Sequence, residues 1–235
     1  MLSIIIPTLN EEKNLSKLLP AIIKGGSDDY EIIIADAGSK DKTIEIARQF
    51  NCIITKGGLP ARGRNCGAKV AKGDILFFMD ADLKFSPKNF VKKAYDYFKK
   101  NDLAVASFTI LPQKSNIYLN PVTLNLFYNY PQILLKNVFP MGAMGIMARK
   151  DVFEKVGGFD EGITLAEDHY FVGQACKYGK FDIIKDVIAY MPVRRFEKDG
   201  YFRTAFKYLC CGFKMGVLRK PERKVRYDFG HYDKK

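Results

Sequence analysis

The sequence predicts a doubly wound α/β fold, with a mostly parallel mixed sheet and helices on both of its faces. First, short apolar runs alternate with amphipathic segments, in the order strand, helix, strand, from residue 3 to residue 110. Second, the runs at 32–35 and 75–79 are apolar throughout, as in strands that are covered on both faces. Third, both runs lead into a carboxylate, Asp36 and Asp80, at the edge where open α/β sheets bind ligands.

Turn chemistry sets the boundaries of these elements. Pro7 lacks the amide that a central strand needs, so the first strand is expected to end there. Thr8 or Asn10 is expected to cap the first helix, and Pro87 suits the first position of a later one. The predicted strands are residues 3–7, 30–36, 52–55, 75–79, 103–110, 144–148, 181–185 and 187–193, and helices at 61–72, 151–156 and 166–178 lie among them.

The composition is that of a globular chain with a large positive charge. Of 235 residues, 47% are hydrophobic and 27% charged, and the formal net charge is +12. This excess favours an anionic partner such as a nucleotide diphosphate, a nucleic acid or an acidic membrane surface. The five cysteines show no Cys-x-x-Cys spacing, which predicts free thiols in a reducing compartment. We expect no signal peptide and no transmembrane helix, because the apolar runs are too short.

Two stretches depart from the regular alternation. Residues 111–142 are crowded with aliphatic and aromatic side chains and carry only two charges, Lys114 and Lys136. They form either a helical lid over the core or an interfacial element that dips into lipid. Residues 201–235 mix aromatics with ten Lys and Arg residues at roughly helical spacing. This pattern predicts a basic amphipathic helix that packs on the domain or lies on an anionic membrane.

Asp80, Ala81 and Asp82 follow the buried run at 75–79. Alternate residues of an extended chain point the same way, so the two carboxylates are expected to face one site. Two carboxylates suit a hard divalent cation, Mg²⁺ or Mn²⁺, which commonly shares protein oxygens with the phosphates of a substrate. The structural alternative is a solvated turn after a core strand.

Five local matches carry a resemblance to a known family. They are IIIPTLNEE at 4–12, IIIADAGSKDKT at 32–43, RGRNCGAKVAKGD at 62–74, DAD at 80–82, and GGFDE at 157–161 followed by AED at 166–168. In this order they resemble the family 2 glycosyltransferases, inverting enzymes of the A-type fold that use nucleotide-diphospho-sugars. The processive members carry Gln-x-x-Arg-Trp after the Glu-Asp pair, and this chain has no Trp. The resemblance therefore implies transfer of single sugars.

The resemblance implies a donor site, a metal site and a catalytic pair. Asp36 would accept a hydrogen bond from the nucleotide base. Asp82 would bind Mn²⁺ or Mg²⁺ directly, while Asp80 would contact the ribose or reach the metal through water. Asp168 would be the general base for an acceptor hydroxyl, with Glu167 orienting the acceptor or the base. The donor-binding residues implied in this way are Pro7, Thr8, Asn10, Glu11, Asp36, Gly38, Arg62, Asn65, Asp80, Ala81, Arg194 and Arg195.

The acidic residues of this set also have purely structural interpretations. Asp36 would then only cap the helix that follows, and Glu11 would only favour a helix N-terminus. Glu167 and Asp168 would be ordinary acids of a first helical turn.

The same holds for the basic residues. Arg194 and Arg195 either clamp the diphosphate or form an exposed basic turn. Arg64 is interpreted as a solvated neighbour on the helix at 61–72, and His169 as a structural histidine.

The acceptor and the cellular location follow from the same resemblance. The Glu-Asp pair favours an acceptor hydroxyl, because a lipid phosphate is already an anion and needs no base. The apolar and basic stretches allow that hydroxyl to belong to a glycan, including a lipid-linked one. We expect a cytoplasmic enzyme for UDP- or GDP-linked sugars, peripheral on the membrane where the C-terminal helix meets anionic lipid. Residues 1–200 would form the catalytic domain, with a nucleotide-binding half at 1–110 and an acceptor half at 111–200, and 201–235 an extension.

Two other functions compete. A sugar nucleotidyltransferase would share the α/β plan, but a Gly-rich, Arg-containing loop would follow its first strand, where this chain has an acidic, Gly-free segment at 7–11. A basic nucleic-acid-binding module would suit the net charge, but no helix-turn-helix, zinc or RNA-binding signature is present. We therefore expect no nucleic-acid partner.

Overall fold

A computed structural model describes residues 1–26, 29–142 and 144–207, and the structural statements that follow concern these residues. The strands are β1 (Leu2–Thr8), β2 (Tyr30–Asp36), β3 (Ile53–Lys56), β4 (Ile75–Phe78), β5 (Lys84–Ser86), β6 (Leu103–Pro112), β7 (Ile146–Arg149) and β8 (Lys180–Met191). The helices are α1 (Glu12–Gly25), α2 (Thr43–Gln49), α3 (Pro60–Val70), α4 (Phe90–Lys100), α5 (Pro121–Leu124), α6 (Tyr130–Leu135), α7 (Lys150–Val156), α8 (Glu167–Ala175) and α9 (Arg194–Asp199). A π-helical turn (Asn125–Asn129) joins α5 to α6, and a 3₁₀ turn (Cys176–Tyr178) follows α8.

The described strands form one mixed sheet in the order β3-β2-β1-β4-β7-β6-β8-β5. Strands β1 to β4 run parallel, β7 lies antiparallel between β4 and β6, and β8 runs parallel to β6. The register places Thr8 opposite Asp36, so β1 and β2 end side by side. The predicted α/β fold is confirmed, and the carboxyl ends of β1, β2 and β4 meet at one edge of the sheet.

Both faces of the sheet are covered. Ile4 and Ile6 of β1 belong to the core cluster under α1 and α4, whereas Ile5 belongs to the cluster under α3, α7 and α8. This alternation follows the two-residue period of a strand. Helix α3 approaches β1 closely because it carries a glycine, Gly67, at the contact. A Cβ atom on Gly67 would lie 2.3 Å from Cγ2 of Ile5.

The prediction that Pro7 ends the first strand is wrong, because β1 continues to Thr8. The pairing of β4 with β1 stops at Ile5, whose carbonyl accepts from Met79. Backbone groups of alternate residues point to the same side of a strand, so an amide at position 7 would point towards β4, beyond the end of that pairing. The proline therefore removes no hydrogen bond from the sheet.

Three further boundary predictions are wrong. Neither Thr8 nor Asn10 caps α1, whose N-cap is Glu11 without a side-chain hydrogen bond. Pro87 does not start a helix, because α4 begins at Phe90 and the preceding residues form β5 against the end of β8. The two strands predicted at 181–185 and 187–193 are the single strand β8, whose register against β6 shifts within its length. In these last two cases tertiary pairing overrode the local signal.

The two unusual stretches are described in part. Residues 113–142 contain α5, the π-helical turn and α6, and the buried Asn129 ties them to β6 through the backbone N–H and carbonyl of Ile110 (3.0 and 2.8 Å). The chain is helical again from Tyr201 to Lys207, and the rest of the predicted basic helix lies outside the described residues. Within the described part, the helices are all too short or too polar to cross a membrane.

Candidate active site

The side chain of Asp36 holds together the carboxyl ends of β1 and β2. Its Oδ1 atom accepts from the hydroxyls of Thr8 (3.0 Å) and Ser39 (2.5 Å). Its Oδ2 atom accepts from the backbone N–H groups of Gly38 (2.9 Å) and Ser39 (2.8 Å). Gly38 has a φ of 97°, which glycine adopts without strain, and this turn brings both amides back to the carboxylate. Asp36 thus fixes the turn after β2, whereas α2 begins only at Thr43.

The loop after β1 is bound to the loop after β2. Asn10 adopts a left-handed conformation with a φ of 56°; its N–H donates to Ser39 Oγ and its Oδ1 accepts from the N–H of Lys40, both at 2.8 Å. The Glu11 carboxylate accepts from the amide of Asn14 at 2.6 Å. These contacts hold the loops after β1 and β2 together beside Asp36. We call the surface formed by Thr8, Asn10, Asp36 and Gly38, which the sequence assigned to donor binding, the donor wall.

The carboxylates of Asp80 and Asp82 lie beyond the end of β4. The chain turns here, with the N–H of Leu83 donating to the carbonyl of Asp80. Ala81 is buried in the core cluster, whereas the side chains of Asp80 and Asp82 are 36% and 27% exposed. Gln113 donates to the backbone carbonyl of Asp82 at 2.7 Å and so ties this turn to the end of β6.

Asp82 lies in a region of excess negative charge. Burial raises the pKa of Asp82 to about 7, and the carboxylates of Asp80 and Glu11 act in the same direction. Arg194, at the start of α9, opposes them from 3.4 Å. Arg195 follows it on the same short helix and is half buried. The structure thus brings Glu11, Asp80, Asp82 and Arg194 together, although the first and last are far apart in the sequence.

Arg64 links the turn after β4 to the start of α8. It lies on α3 with its side chain only 8% exposed, and Nη2 donates to Asp80 at 2.8 Å while Nη1 donates to Glu167 at 2.6 Å. The guanidinium stands 5.2 Å above the ring of Phe159, in a cation–π contact. Despite its burial, which opposes the charged form, the carboxylates of Asp80 and Glu167 raise the pKa of Arg64. A buried cation therefore joins the two acidic motifs.

Glu167 and Asp168 form the first turn of α8, directly after Ala166, which has a left-handed φ of 59°. Burial raises the pKa of Glu167, even though Arg64 acts against it. Burial would also raise the pKa of Asp168, but the adjacent His169 together with Arg64 outweighs it, and the pKa lies below its ordinary value. Asp168 is therefore a carboxylate at neutral pH.

His169 makes two contacts through one ring nitrogen. Its Nδ1 atom lies 2.5 Å from the carbonyl oxygen of Gly142 and 3.3 Å from Oδ1 of Asp168. Because a carbonyl oxygen only accepts, Nδ1 must carry the hydrogen. Burial would lower the pKa of His169, but the Asp168 carboxylate reverses this effect and raises it. His169 thus holds Asp168 in place and connects it to the end of the apolar stretch.

Asn65 and Arg62 differ in what they contact on α3. The Asn65 amide donates to the carbonyl of Phe159 and to Glu161 and accepts from the N–H of Phe159, at 2.9, 3.0 and 2.9 Å. Asn65 thereby positions the loop after α7. This loop carries Phe159, whose ring lies beneath the guanidinium of Arg64. Arg62 is exposed and packs beside Gly58, in the loop that leads from β3 into α3.

Sequence reasoning missed three contributors to the site, namely Arg64, Gln113 and the anchoring role of His169. A signal for Arg64 was available: it lies on the helical face that also carries the small residues Ala61, Gly67 and Ala68, and an arginine on a packed face needs a carboxylate partner. Gln113 and His169 bond mainly to backbone carbonyls, which leave no trace in the sequence. Within the described residues, no group of three His, Cys, Asp or Glu side chains is arranged to hold a metal ion.

Comparison with known proteins supports the motif-based expectation. The family model "Glycosyl transferase family 2" matches residues 3–157, well over half of the chain. An uncharacterized glycosyltransferase of Haemophilus influenzae is 30% identical over an alignment of 183 positions, which covers 73% of this chain and 60% of that protein. The O-antigen chain rhamnosyltransferase RfbN of Salmonella typhimurium is 26% identical over an alignment of 232 positions, which covers 89% of this chain and 73% of that protein.

Solved structures share the fold. The mannosyltransferase PcManGT of Pyrobaculum calidifontis, in complex with GDP-Man and Mn²⁺, superposes with a TM-score of 0.74 at 19% identity, over 95% of this chain. TarS 1–349 of S. aureus, in complex with UDP-GlcNAc, superposes with a TM-score of 0.64 at 21% identity, over 81% of this chain. The chain spans 65% and 58% of these two structures. The A-type transferase fold is confirmed.

Proposed function

Because the chain belongs to glycosyl transferase family 2, we propose that it moves one sugar from a UDP- or GDP-linked donor to an acceptor hydroxyl. The observation that carries the proposal is the ion-pair network in which Arg64 joins Asp80 to Glu167. It brings the acidic pair after β4 and the Glu-Asp pair of α8 to one edge of the sheet. Structural relatives with UDP-GlcNAc and with GDP-Man support a nucleotide-sugar donor of either base.

The donor nucleotide occupies the wall formed by the ends of β1 and β2. Uracil and guanine both present a ring N–H, for which Asp36 is the acceptor that we assign. Both oxygens of Asp36 already accept hydrogen bonds, two of them from the hydroxyls of Thr8 and Ser39. Hydroxyl groups rotate and accept as well as donate, so the base can replace one of them without disturbing the backbone turn. Asn10 and the backbone of Gly38 border the same wall, and we assign Arg62, which lies beside Gly58 in the loop after β3, to the same donor.

The residues at the end of β4 fit a divalent metal. Asp82 and Asp80 supply carboxylate oxygens, which Mg²⁺ and Mn²⁺ prefer, in a region where Arg194 only partly offsets the negative charge. Asp82 and Asp80 would hold the metal together with oxygens of the donor diphosphate and water, as Mg²⁺ is commonly bound by one or two carboxylates and substrate phosphates. When bound, the metal supplies Lewis-acid stabilisation of the departing diphosphate.

Asp168 is the general base in this proposal. The contacts that it makes with described residues, from the N–H and the ring of His169, all involve Oδ1. Oδ2 is thus left to accept the proton of the acceptor hydroxyl as its oxygen attacks the anomeric carbon. The nucleoside diphosphate leaves from the opposite face, which inverts the anomeric centre. Glu167, held by Arg64, orients the acceptor beside it.

Thermal unfolding with UDP and GDP, each with and without Mn²⁺, tests donor binding. A nucleotide at a hundredfold excess over its Kd adds about 2.7 kcal/mol to the free energy of unfolding. For a chain of this size, this corresponds to a rise in Tm of about 5–10 °C. We expect the rise with one nucleotide, only with metal, and its loss in Asp82→Asn. A Tm unchanged by either nucleotide and metal overturns the donor assignment.

Turnover tests the base separately. Release of nucleoside diphosphate from a panel of UDP- and GDP-sugars, with glycan acceptors, is expected to fall about 10²–10⁴-fold in Asp168→Asn. The same variant should keep the metal-dependent rise in Tm, because Asp168 lies outside the donor wall. Asp96→Asn on α4 is the control, since it removes an exposed carboxylate that pairs with Lys92 on the same helix. Wild-type turnover in Asp168→Asn would exclude this residue as the base.

A further inference from the structure

The stretch from α5 to α6 exposes most of its apolar side chains, which is unusual for a protein that faces water. Val122, Tyr130 and Leu134 repeat at intervals of four or eight residues on its outer side, and each is 57–80% exposed. The inner side carries the polar residues Asn129 and Gln132, both buried. Residues four apart lie on one face of a helix, and a surface helix normally turns that apolar face inward. Here the polar Asn129 anchors the stretch to β6. Leu124, Tyr128 and Ile133 pack against the core clusters, while the other aliphatic and aromatic side chains of the stretch are exposed.

The apolar surface continues onto the helical turns after α9. Tyr118 packs against the rings of Tyr201 and Phe202, with centroids 5.7 and 5.3 Å apart. Phe202 and Phe206 are themselves 77% and 70% exposed. We call this surface the apolar face. Its exposed side chains are Ile117, Tyr118, Val122, Leu126, Phe127, Tyr130, Leu134, Leu135, Val138, Phe202 and Phe206. Contiguous exposed patches of this kind mark interaction sites.

Charge indicates the occupant. Residues 113–142 contain no Asp or Glu, and the exposed Arg203 and Lys207 lie between and beside the two phenylalanines. The sequence after 207 adds eight Lys and Arg against three Asp and Glu. Apolar side chains bordered by cations, with tyrosines among them, are the composition of an element that lies in the headgroup region of an anionic membrane. A second copy of the chain would instead bring like charges together.

We propose that the apolar face seats this protein on the surface of an anionic lipid membrane. The stretch that carries it is bonded to the candidate active site at both ends. Gln113 donates to the Asp82 carbonyl at 2.7 Å, and the Gly142 carbonyl accepts from His169, beside Asp168. Binding of the apolar face to lipid therefore places the candidate active site close to the membrane surface. With the function proposed above, this means that the acceptor hydroxyl belongs to a membrane-anchored molecule; membrane binding itself does not depend on that function.

Co-sedimentation of the full chain with vesicles tests the proposal. We expect binding to vesicles of three parts phosphatidylcholine to one part phosphatidylglycerol, weakened at high salt, and much less binding to phosphatidylcholine alone. The double variant Leu134→Glu, Val138→Glu should bind on the order of 100-fold more weakly, because two inserted side chains are lost. The matched control Ile23→Glu, Val70→Glu changes exposed residues of α1 and α3 and should bind as the wild type does.

The variants also distinguish the other occupants. All four side chains are exposed, so the rise in Tm with nucleotide and metal should persist in both double variants, which separates this test from that of the donor site. Failure of the wild type to sediment with anionic vesicles at low salt overturns the proposal. So does equal binding by Leu134→Glu, Val138→Glu. A wild-type dimer that this variant converts to a monomer, without vesicle binding by either, would assign the apolar face to a second copy instead.

Discussion

Replacing Arg64 by methionine tests whether the network that joins the two acidic motifs is a buried ion pair. Methionine keeps an unbranched apolar stem and removes the cation. Glu167 is only 13% exposed and would be left without its partner, whereas Asp80 is 36% exposed and would be largely rehydrated. Removing one member of a buried pair costs about 3–5 kcal/mol. We assign most of this to Glu167 and at most about 1 kcal/mol to Asp80.

The assay is chemical and thermal unfolding. The expected loss corresponds to a fall in Tm of about 6–20 °C for a chain of this size. Arg62→Met, on the same helix but exposed, is the matched control and should change stability by no more than about 0.5 kcal/mol. Arg64→Lys should lie between, because one ammonium group keeps the charge but cannot bond to both carboxylates in the geometry of the fork.

A double-mutant cycle decides between a pair and two independent residues. If Glu167 suffers from the loss of its cation, Arg64→Met with Glu167→Gln should be more stable than the sum of the single changes by about 2 kcal/mol. Additivity within about 0.5 kcal/mol would refute the reasoning, as would a loss below about 1 kcal/mol in Arg64→Met alone.

Two further predictions concern packing and protonation. Gly67→Ala should lose about 1–3 kcal/mol of stability, because its methyl group meets β1, whereas Gly173→Ala in α8, with nothing within 4 Å, should gain about 0.5–1 kcal/mol in urea unfolding. The carboxylates of Asp168 and Glu167 raise the pKa of His169. The folded chain therefore holds this proton more tightly, and the contribution to stability is fully present below about pH 6.5 and is lost as the pH rises through the raised pKa. Unfolding in urea from pH 6 to 9 should show this decline and show it flattened in His169→Gln; an unchanged slope would contradict it.

The elements of the nucleotide-binding half could be predicted from local pattern. The strand predicted at 30–36 has the same bounds as β2 in the structure. The apolar run sets the length of the strand, and the Asp-Ala-Gly-Ser sequence that follows marks the turn at its end. The prediction at Pro7 was wrong because the effect of its missing N–H depends on where the pairing with the neighbouring strand ends. The prediction at Pro87 was wrong because the residues just before it pair with β8 as strand β5, where a helix was expected to begin. Both outcomes are set by contacts between distant residues, which no window of sequence contains.

The site followed the same division. The sequence located the acids after β2 and β4 and at the start of α8, since each lies at the end or the beginning of an element. Their mutual arrangement depends on Arg64, which is 16 residues from Asp80 and 103 from Glu167 and was interpreted as a surface residue. A motif search finds the carboxylates because their spacing is local. It misses the cation because the burial of Arg64 is indicated only by the small residues on its helical face, Ala61, Gly67 and Ala68, and these form no motif with the distant carboxylates.

The same placement of α3 explains why the two halves of the site cannot shift independently. Gly67 lets the helix lie directly on β1, and one turn earlier Arg64 reaches Asp80 on one side and Glu167 on the other. Asn65, the next residue, holds the backbone of Phe159, whose ring lies under the guanidinium. A displacement of α8 relative to β4 would therefore have to break a buried ion pair. The distance between the proposed base and the proposed metal ligands is thus fixed by one helix, before any substrate arrives.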